Sequence, residues 1–317
     1  MEDIQHPDSI WTWKTNQRRS RAALWVPYLH AIENEKGKKW KIIYKGGEIS
    51  ISPDQIDTIM FYGASGMLPL SFIDDMIQAK IVILIHRRNL SNPACFYAGQ
   101  TIDRTDILTA QIISRQNNIK ACYIARRLVE ARFDMTKTTS PISETHRAAL
   151  KKMRKIEDIR SWEAYHARLY WDRYFTKLGF PDCRRRSKNA LSSALDAGSM
   201  FMTGILLRWI LVHKLSPAHG FLHVRTEYTS LVYDLMEPYR YMIEEALRRG
   251  IQKWDGEKAH TLTANTLTAL KQILDETIYV PTTRQTVRRK NLLHGSVLAL
   301  RAYLIGEMSR FTFLTFK

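Results

Sequence analysis

Catalysis needs polar groups that converge, and three segments of this chain set carboxylates or imidazoles among apolar residues. The first is Ser161-Trp162-Glu163-Ala164-Tyr165-His166-Ala167-Arg168-Leu169-Tyr170-Trp171. It reads as helix. Small residues at 161, 164 and 167 fall three apart, so one face is flat and accepts close approach. Glu163 beside that face is either ion-paired with Arg168 or Arg160, or a ligand. The second segment is Pro217-Ala218-His219-Gly220-Phe221-Leu222-His223. His219 and His223 stand four apart, as in a zinc pair. Pro217 and Gly220 nevertheless predict a loop, and no Glu occupies the H-E-x-x-H position, which argues against zinc. The third is Ser230-Leu231-Val232-Tyr233-Asp234-Leu235-Met236-Glu237-Pro238-Tyr239-Arg240. Asp234 and Glu237 at i and i+3 project from one helix face. Pro238 removes an N–H and crowds the carbonyl of Asp234, so a local distortion is expected at the two acids. Two carboxylates this close repel unless a cation lies between them. Arg240 and a divalent metal both answer that need.

The candidate ligands are therefore Glu163, His223 and Glu237, with Asp234 beside them. A mostly carboxylate set with one imidazole is hard in character and suits Mg²⁺ or Mn²⁺ better than Zn²⁺ or copper. Such a metal on a basic surface points to phosphodiester chemistry.

These residues must be positioned by helices, and the texture of the chain agrees. From Ala23 to about Gly99 it reads as short β-runs: Ala23–His30, Lys39–Tyr44, Glu48–Ile51 and Asp57–Tyr62, with a hairpin turn at Gly46-Gly47, a short helix over Ser71–Ala79 and a buried strand over Ile81–His86. From about Arg104 apolar residues recur at helical spacing (Ile107, Ile112, Ile119, Ile124, Leu128, Phe133). After a break over Lys137–Ser143, helices are expected at about 142–156, 157–178, 187–213, 229–249, 260–278 and 284–308. The fold class is α+β: a β-rich N-terminal domain, 1–102, and a larger all-helical domain, 103–317.

Composition is that of a globular protein: 317 residues, 45% hydrophobic and 25% charged. The apolar runs Ile81–Ile85 and Met200–Leu207 are far shorter than the roughly 20 residues of a membrane span, and the acidic start Met1-Glu2-Asp3-Ile4 is not a signal peptide. Cys95, Cys122 and Cys183 lie far apart, which argues against a zinc ribbon or a disulfide scaffold. A soluble cytoplasmic protein with no membrane partner is expected. The net charge is +17. Residues 1–150 carry 20 basic and 15 acidic groups and residues 151–317 carry 28 and 16, so the excess sits with the candidate ligands. That balance favours a polyanionic partner, although many proteins are basic for no ligand-related reason.

The three segments resemble the signature blocks of the CRISPR-associated spacer-acquisition integrases, the Cas-one family of prokaryotes. The family's G-x-E-G-x-x-A-R-x-Y-F block is present as Ser161–Trp171, keeping Glu163, Ala167, Arg168 and Tyr170, with Ser161 and Ala164 in place of the glycines. Its Gly-Phe-Leu-His and Ser-Leu-Val-x-Asp-Leu-x-Glu-Pro-Phe-Arg blocks are present as Gly220–His223 and Ser230–Arg240, with Tyr239 for Phe. Asn189-Ala190-Leu191-Ser192 resembles the family's Asn-Ala-Leu-Leu/Ser stretch. A Pro-rich stretch before that Asn is replaced by Arg184-Arg185-Arg186-Ser187-Lys188.

The resemblance implies that Glu163, His223 and Glu237 bind Mg²⁺ or Mn²⁺ and that Asp234 is a nearby catalytic acid tuning the site. It implies attack by the 3′-hydroxyl of a short DNA fragment on a phosphodiester at the edge of a CRISPR repeat, with hydrolysis as the same chemistry on water. It further implies double-stranded DNA as partner, a homodimer joined through the N-terminal domain, a small Cas-two subunit, and a place for a nuclease that trims the donor. A casposase-like transposon integrase and a structure-selective endonuclease are the neighbouring readings. The clusters Arg184, Arg185, Arg186, Lys188 and Arg284, Arg288, Arg289, Lys290 then become candidate phosphate contacts, a solvated surface being the other reading of each. On this reading the pair Arg288→Ala, Arg289→Ala weakens binding to any DNA sequence.

Overall fold

The structure, a computed structural model, describes residues 21–63, 66–86, 94–97, 106–281 and 284–313. It divides into two compact units. One comprises Met1–Arg104 with Leu207–Val212, and the other Thr105–Leu206 with His213–Lys317.

The first unit is built on two sheets. Strands β1 (Ala22–Pro27), β5 (Ile56–Tyr62) and β6 (Val82–His86) run parallel, and β7 (Ala94–Phe96) joins β6 antiparallel. Strands β2 (Leu29–Glu35), β3 (Lys39–Tyr44) and β4 (Gly47–Ile51) form an antiparallel meander. The single run expected over Ala23–His30 is therefore two strands in two sheets. The reason is local: Pro27 has no N–H, and Tyr28 adopts a left-handed φ of 51°, turning the chain from one sheet to the other. Helix α1 (Leu70–Gln78) buries Phe72 and Met76. Phe72 meets the Trp40 ring edge-on, and the Trp40 indole donates to Asp75 at 2.9 Å.

The second unit is helical: α2 (Ile107–Gln116), α3 (Asn118–Met135), α4 (Glu144–Lys152), α5 (Ile156–Lys177), α6 (Ala190–Val212), α7 (Ser230–Met236), α8 (Tyr241–Ile251), α9 (Ala259–Asp275) and α10 (Arg289–Leu304). α6 runs on into the residues grouped with the first unit. The helical spacing from Ile107 to Phe133 is broken once. Asn117 ends α2 and caps α3 by accepting from the Lys120 N–H. The helix expected over 229–249 is interrupted by a 3-10 turn at Glu237–Tyr239, where Pro238 predicts a distortion. The expected helices 260–278 and 284–308 are both shortened by a hairpin of β8 (Thr277–Val280) and β9 (Gln285–Arg288). Thr277-Ile278-Tyr279-Val280 is a run of β-formers, and Pro281 follows it.

α6 is long and apolar enough to cross a bilayer by length and composition, but 61% of its most apolar window is buried inside the protein. A core helix has the same character. The three cysteines are free thiols.

Candidate active site

Glu163 lies on α5 and its Oε1 accepts from Arg132 Nη1 at 2.6 Å; the same Nη1 donates to Glu237 Oε2 at 2.5 Å. Two carboxylates remote in sequence thus converge on one cation. Arg132 occupies the next place in a buried stripe of α3 formed by Ala121, Ala125 and Leu128. α3 packs against the Glu237–Tyr239 turn, which brings Arg132 to Glu237. The other oxygen of Glu237 accepts from Arg240 Nε at 2.7 Å. Burial alone would push the Glu237 carboxyl up; the guanidinium of Arg132, then that of Arg240, overcomes this and holds it at about 2.

Asp234 does a different job. It is wholly buried and accepts from the backbone N–H groups of Phe221 (2.5 Å), Leu222 (3.0 Å) and His223 (2.9 Å), and from His223 Nδ1 (2.7 Å). The two acids therefore do not share a cation, as i, i+3 spacing on one face would require. α7 stops at Met236, and the turn that follows carries Glu237 to Arg132 and Arg240. A carboxylate only accepts, so Nδ1 of His223 carries the proton and Nε2 of the neutral ring keeps its lone pair. Burial lowers the His223 pKa, and the hydrogen bond and charge of Asp234 more than reverse it.

Gly220 explains the tightness of this loop. A Cβ there would meet the His223 carbonyl at 2.6 Å and Asp234 Oδ2 at 2.8 Å. Gly220→Ala is expected to cost about 2–3 kcal/mol of stability, read by urea unfolding. A loss under about 0.5 kcal/mol would show that the loop yields.

Glu163, His223 and Glu237 line one cavity of about 1250 Å³, together with Arg132 and Arg240. Ala164 and Ala167, the flat face of α5, open onto it, as does the segment Arg184–Lys188. Asp234 does not line the cavity and acts on it through His223. Of the other histidines, His166 packs on Trp162 and Phe133, His213 pairs with His294, and His219 pairs with the Ser216 hydroxyl.

Among the described residues no three His, Cys, Asp or Glu side chains stand close enough together, as arranged, to hold a metal ion. The guanidinium of Arg132 lies between the carboxylates. The donor chemistry nevertheless suits a hard divalent cation, because two carboxylates already converge on one positive charge and a free imidazole nitrogen belongs to the same cavity.

Sequence reasoning missed Arg132 and a second pair behind it. The Tyr170 hydroxyl donates to Glu244 Oε2, and Glu244 is buried on α8. Burial raises the pKa of both groups. The available signal was a charge in an apolar stripe, at Arg132 on α3 and at Glu244 among Met242, Ile243, Ala246 and Leu247.

The model of the CRISPR associated protein Cas1 family matches residues 32–272. The chain belongs to the Cas1 family. A curated relative, CRISPR-associated endonuclease Cas1 2 of Pyrobaculum aerophilum, is 25% identical over 129 residues, which are 40% of this chain and 44% of the relative. The matched region thus spans less than half the relative's length. A casposase bound to an integration product has a TM-score of 0.77 at 19% identity, over 92% of this chain and 93% of that one. A Cas6-RT-Cas1–Cas2 complex has a TM-score of 0.71 at 14% identity, over 97% of this chain and 37% of that one. At such identities the likeness is one of fold.

The two basic clusters of this Cas1-family chain differ in kind. Ser192 Oγ, in the first turn of α6, donates to the carbonyls of Arg184 and Arg185, and Asn189 caps that helix, so the first cluster is pinned at the cavity rim. Arg185 pairs with Asp196 at 2.7 Å; Arg186 and Lys188 are exposed and carry no ion pair among the described residues. Of the second cluster, Arg284 is exposed in the β8–β9 turn, while Arg288, Arg289 and Lys290 form ion pairs with Asp275 and Glu276. None of the four lines the cavity. Replacing Arg184, Arg186 and Lys188 by Ala is expected to flatten the log–log salt dependence of duplex-DNA binding by about 2–3 units, read by fluorescence anisotropy. The pair Arg288→Ala, Arg289→Ala is expected to do less, because phosphates there compete with Asp275 and Glu276. An equal or larger change in that pair would move the DNA path to the hairpin.

Proposed function

We propose that this protein is a metal-dependent DNA integrase of CRISPR adaptation, which joins a short double-stranded DNA fragment to the CRISPR array. One observation carries the reading: a single cavity gathers Glu163, His223 and Glu237 under an arginine-rich rim in a chain of the Cas1 family. The casposase neighbour, described bound to an integration product, supports strand joining as the chemistry.

Glu163, His223 and Glu237 would hold Mg²⁺ or Mn²⁺. The ion, when bound, supplies charge stabilisation for a five-coordinate phosphate. Asp234 fixes the ring of His223 and leaves Nε2 to the cavity. Arg132 and, after it, Arg240 keep Glu237 ionised. Arg184, Arg186 and Lys188 hold phosphates at the rim, and Ala164 and Ala167 leave the backbone room to approach. In the reaction a 3′-hydroxyl loses its proton as its oxygen bonds to phosphorus. The bond to the leaving 3′-oxygen breaks, and that oxygen takes up a proton. The number of phosphodiester bonds is unchanged, so the step is reversible. The working assembly is a homodimer with a small Cas2 subunit, a partner supported by the Cas1–Cas2 neighbour.

The test combines the full chain, with and without Cas2, with labelled 3′-hydroxyl duplex and supercoiled plasmid in Mg²⁺ or Mn²⁺. Label transferred covalently to plasmid is the expected result. Cleavage without transfer would replace the reading with a structure-selective endonuclease, which the name of the Pyrobaculum relative favours. Binding without product would reduce the protein to a DNA scaffold.

A further inference from the structure

Arg132 Nη1 stands where a divalent ion would have to stand, in reach of both Glu163 Oε1 and Glu237 Oε2. A guanidinium and a divalent cation cannot share that place, since like charges at contact distance repel strongly even at a generous effective dielectric. Arg132 is itself buried, so it cannot swing out into water without breaking its packing. A third carboxylate lies within electrostatic reach of it. Glu244 is buried, and its charge acts on Arg132 after those of Glu237 and Glu163. Tyr170 fixes Glu244 through Oε2, while Oε1 is buried with no hydrogen-bond partner. A buried acceptor without a donor is costly, and one beside a buried arginine asks for a reason.

We propose that Arg132 is a resident cation that holds Glu163 and Glu237 together until a divalent ion enters, and that it then passes to the free oxygen of Glu244. This rests on the metal-dependent reading above. The exchange keeps Glu163 and Glu237 neutralised at both stages and gives the free oxygen of Glu244 a partner once the ion is in place. Before entry, Arg132 neutralises the two carboxylates. After entry, the ion takes them over, Arg240 stays on Glu237 Oε1, and Arg132 satisfies Glu244. Arg132 and Glu244 are thus positioning residues that set how tightly the site takes its metal. The device also prevents the carboxylates from repelling each other and opening the site when metal is scarce.

The test titrates the metal-free, full-length protein with Mn²⁺ in the absence of DNA and reads free Mn²⁺ by electron paramagnetic resonance. Arg132→Met is expected to bind Mn²⁺ at least about tenfold more tightly than the unsubstituted chain, because the competing charge is gone. Glu244→Gln is expected to bind it at least about tenfold less tightly, because Arg132 has lost the carboxylate it moves to. Opposite signs are the signature, since a purely structural role for the two residues would weaken binding in both. Thermal unfolding gives a second readout: Arg132→Met melts lower than the unsubstituted chain without Mn²⁺ and recovers with it. Should the Met variant not fold, Arg132→Lys serves, because a single ammonium bridges two carboxylates poorly and must also tighten Mn²⁺ binding. Unchanged or weaker binding in the folded Arg132 variant, or undiminished binding in Glu244→Gln, overturns the exchange and leaves the metal-dependent reading standing. Mn²⁺ binding that is the same in Glu163→Gln as in the unsubstituted chain removes that reading, and the exchange with it.

Discussion

Glu163→Gln is expected to lower the rate of label transfer by about a thousandfold or more while leaving the fold intact. Gln keeps the volume of Glu and, at this partly exposed position, costs little in packing. It removes one anionic donor from a site whose ion would supply several kcal/mol of transition-state stabilisation, and each ~1.4 kcal/mol is tenfold in rate. His223→Ala and Glu237→Gln should fall to the same floor, because three donors acting on one ion lose most of their effect when any one is missing. DNA affinity should be little changed, since the proposed phosphate contacts at the rim are left intact. The measurement is single-turnover transfer to supercoiled plasmid, with anisotropy for binding and a melting curve for folding. A Glu163→Gln protein that keeps a tenth of the unsubstituted rate would show that the joining chemistry lies elsewhere.

Asp234→Ala is expected to be the most destabilising single change at the site. Its carboxylate, itself wholly buried, is the acceptor for three backbone N–H groups and for the half-buried imidazole of His223. Each buried donor left without a partner costs about 1–3 kcal/mol, so a loss near ~4 kcal/mol, or roughly 10 °C in melting temperature, is expected after partial relaxation. Asp234→Asn should recover part of this, because one amide oxygen still accepts. It should not recover metal affinity. Without the carboxylate the His223 ring loses the group that fixes its proton on Nδ1, and such supporting partners carry about 10–100-fold in affinity. Calorimetry and Mn²⁺ titration on the same preparations separate the two effects. A melting point within about 2 °C of the unsubstituted protein would mean that the loop has another anchor.

What was legible in the residues and what was not divides along one physical line. Strands β3, β4, β5 and β6 and helix α1 follow from local alternation and turn residues, and the structure places them within about a residue or two of the expected runs. His223 and Glu237 were likewise visible, because apolar neighbours and Pro238 mark them locally. The change of sheet at Tyr28 was hidden, since a single left-handed residue leaves no periodicity behind. The β8–β9 hairpin was hidden too, being too short to outweigh the helical patterns on either side. Arg132 escaped for a different reason. Its two partners lie at positions 163 and 237, and no spacing rule connects a guanidinium to carboxylates brought together only by tertiary packing. Helix spacing offers Glu163 only Arg160 and Arg168 as partners, because only local neighbours can be read from a sequence.

That dispersal has a consequence during synthesis. α5 leaves the ribosome with Glu163 well before the loop that ends at His223, and Asp234 and Glu237 come later still. The loop cannot close until α7 brings Asp234 to its backbone, and the carboxylates cannot meet until the turn after α7 docks on α3. A nascent or truncated chain that stops short of Glu237 therefore carries the arginine-rich segment without a working centre. On the proposed function such a chain would keep the rim's phosphate contacts and lack the centre that joins strands.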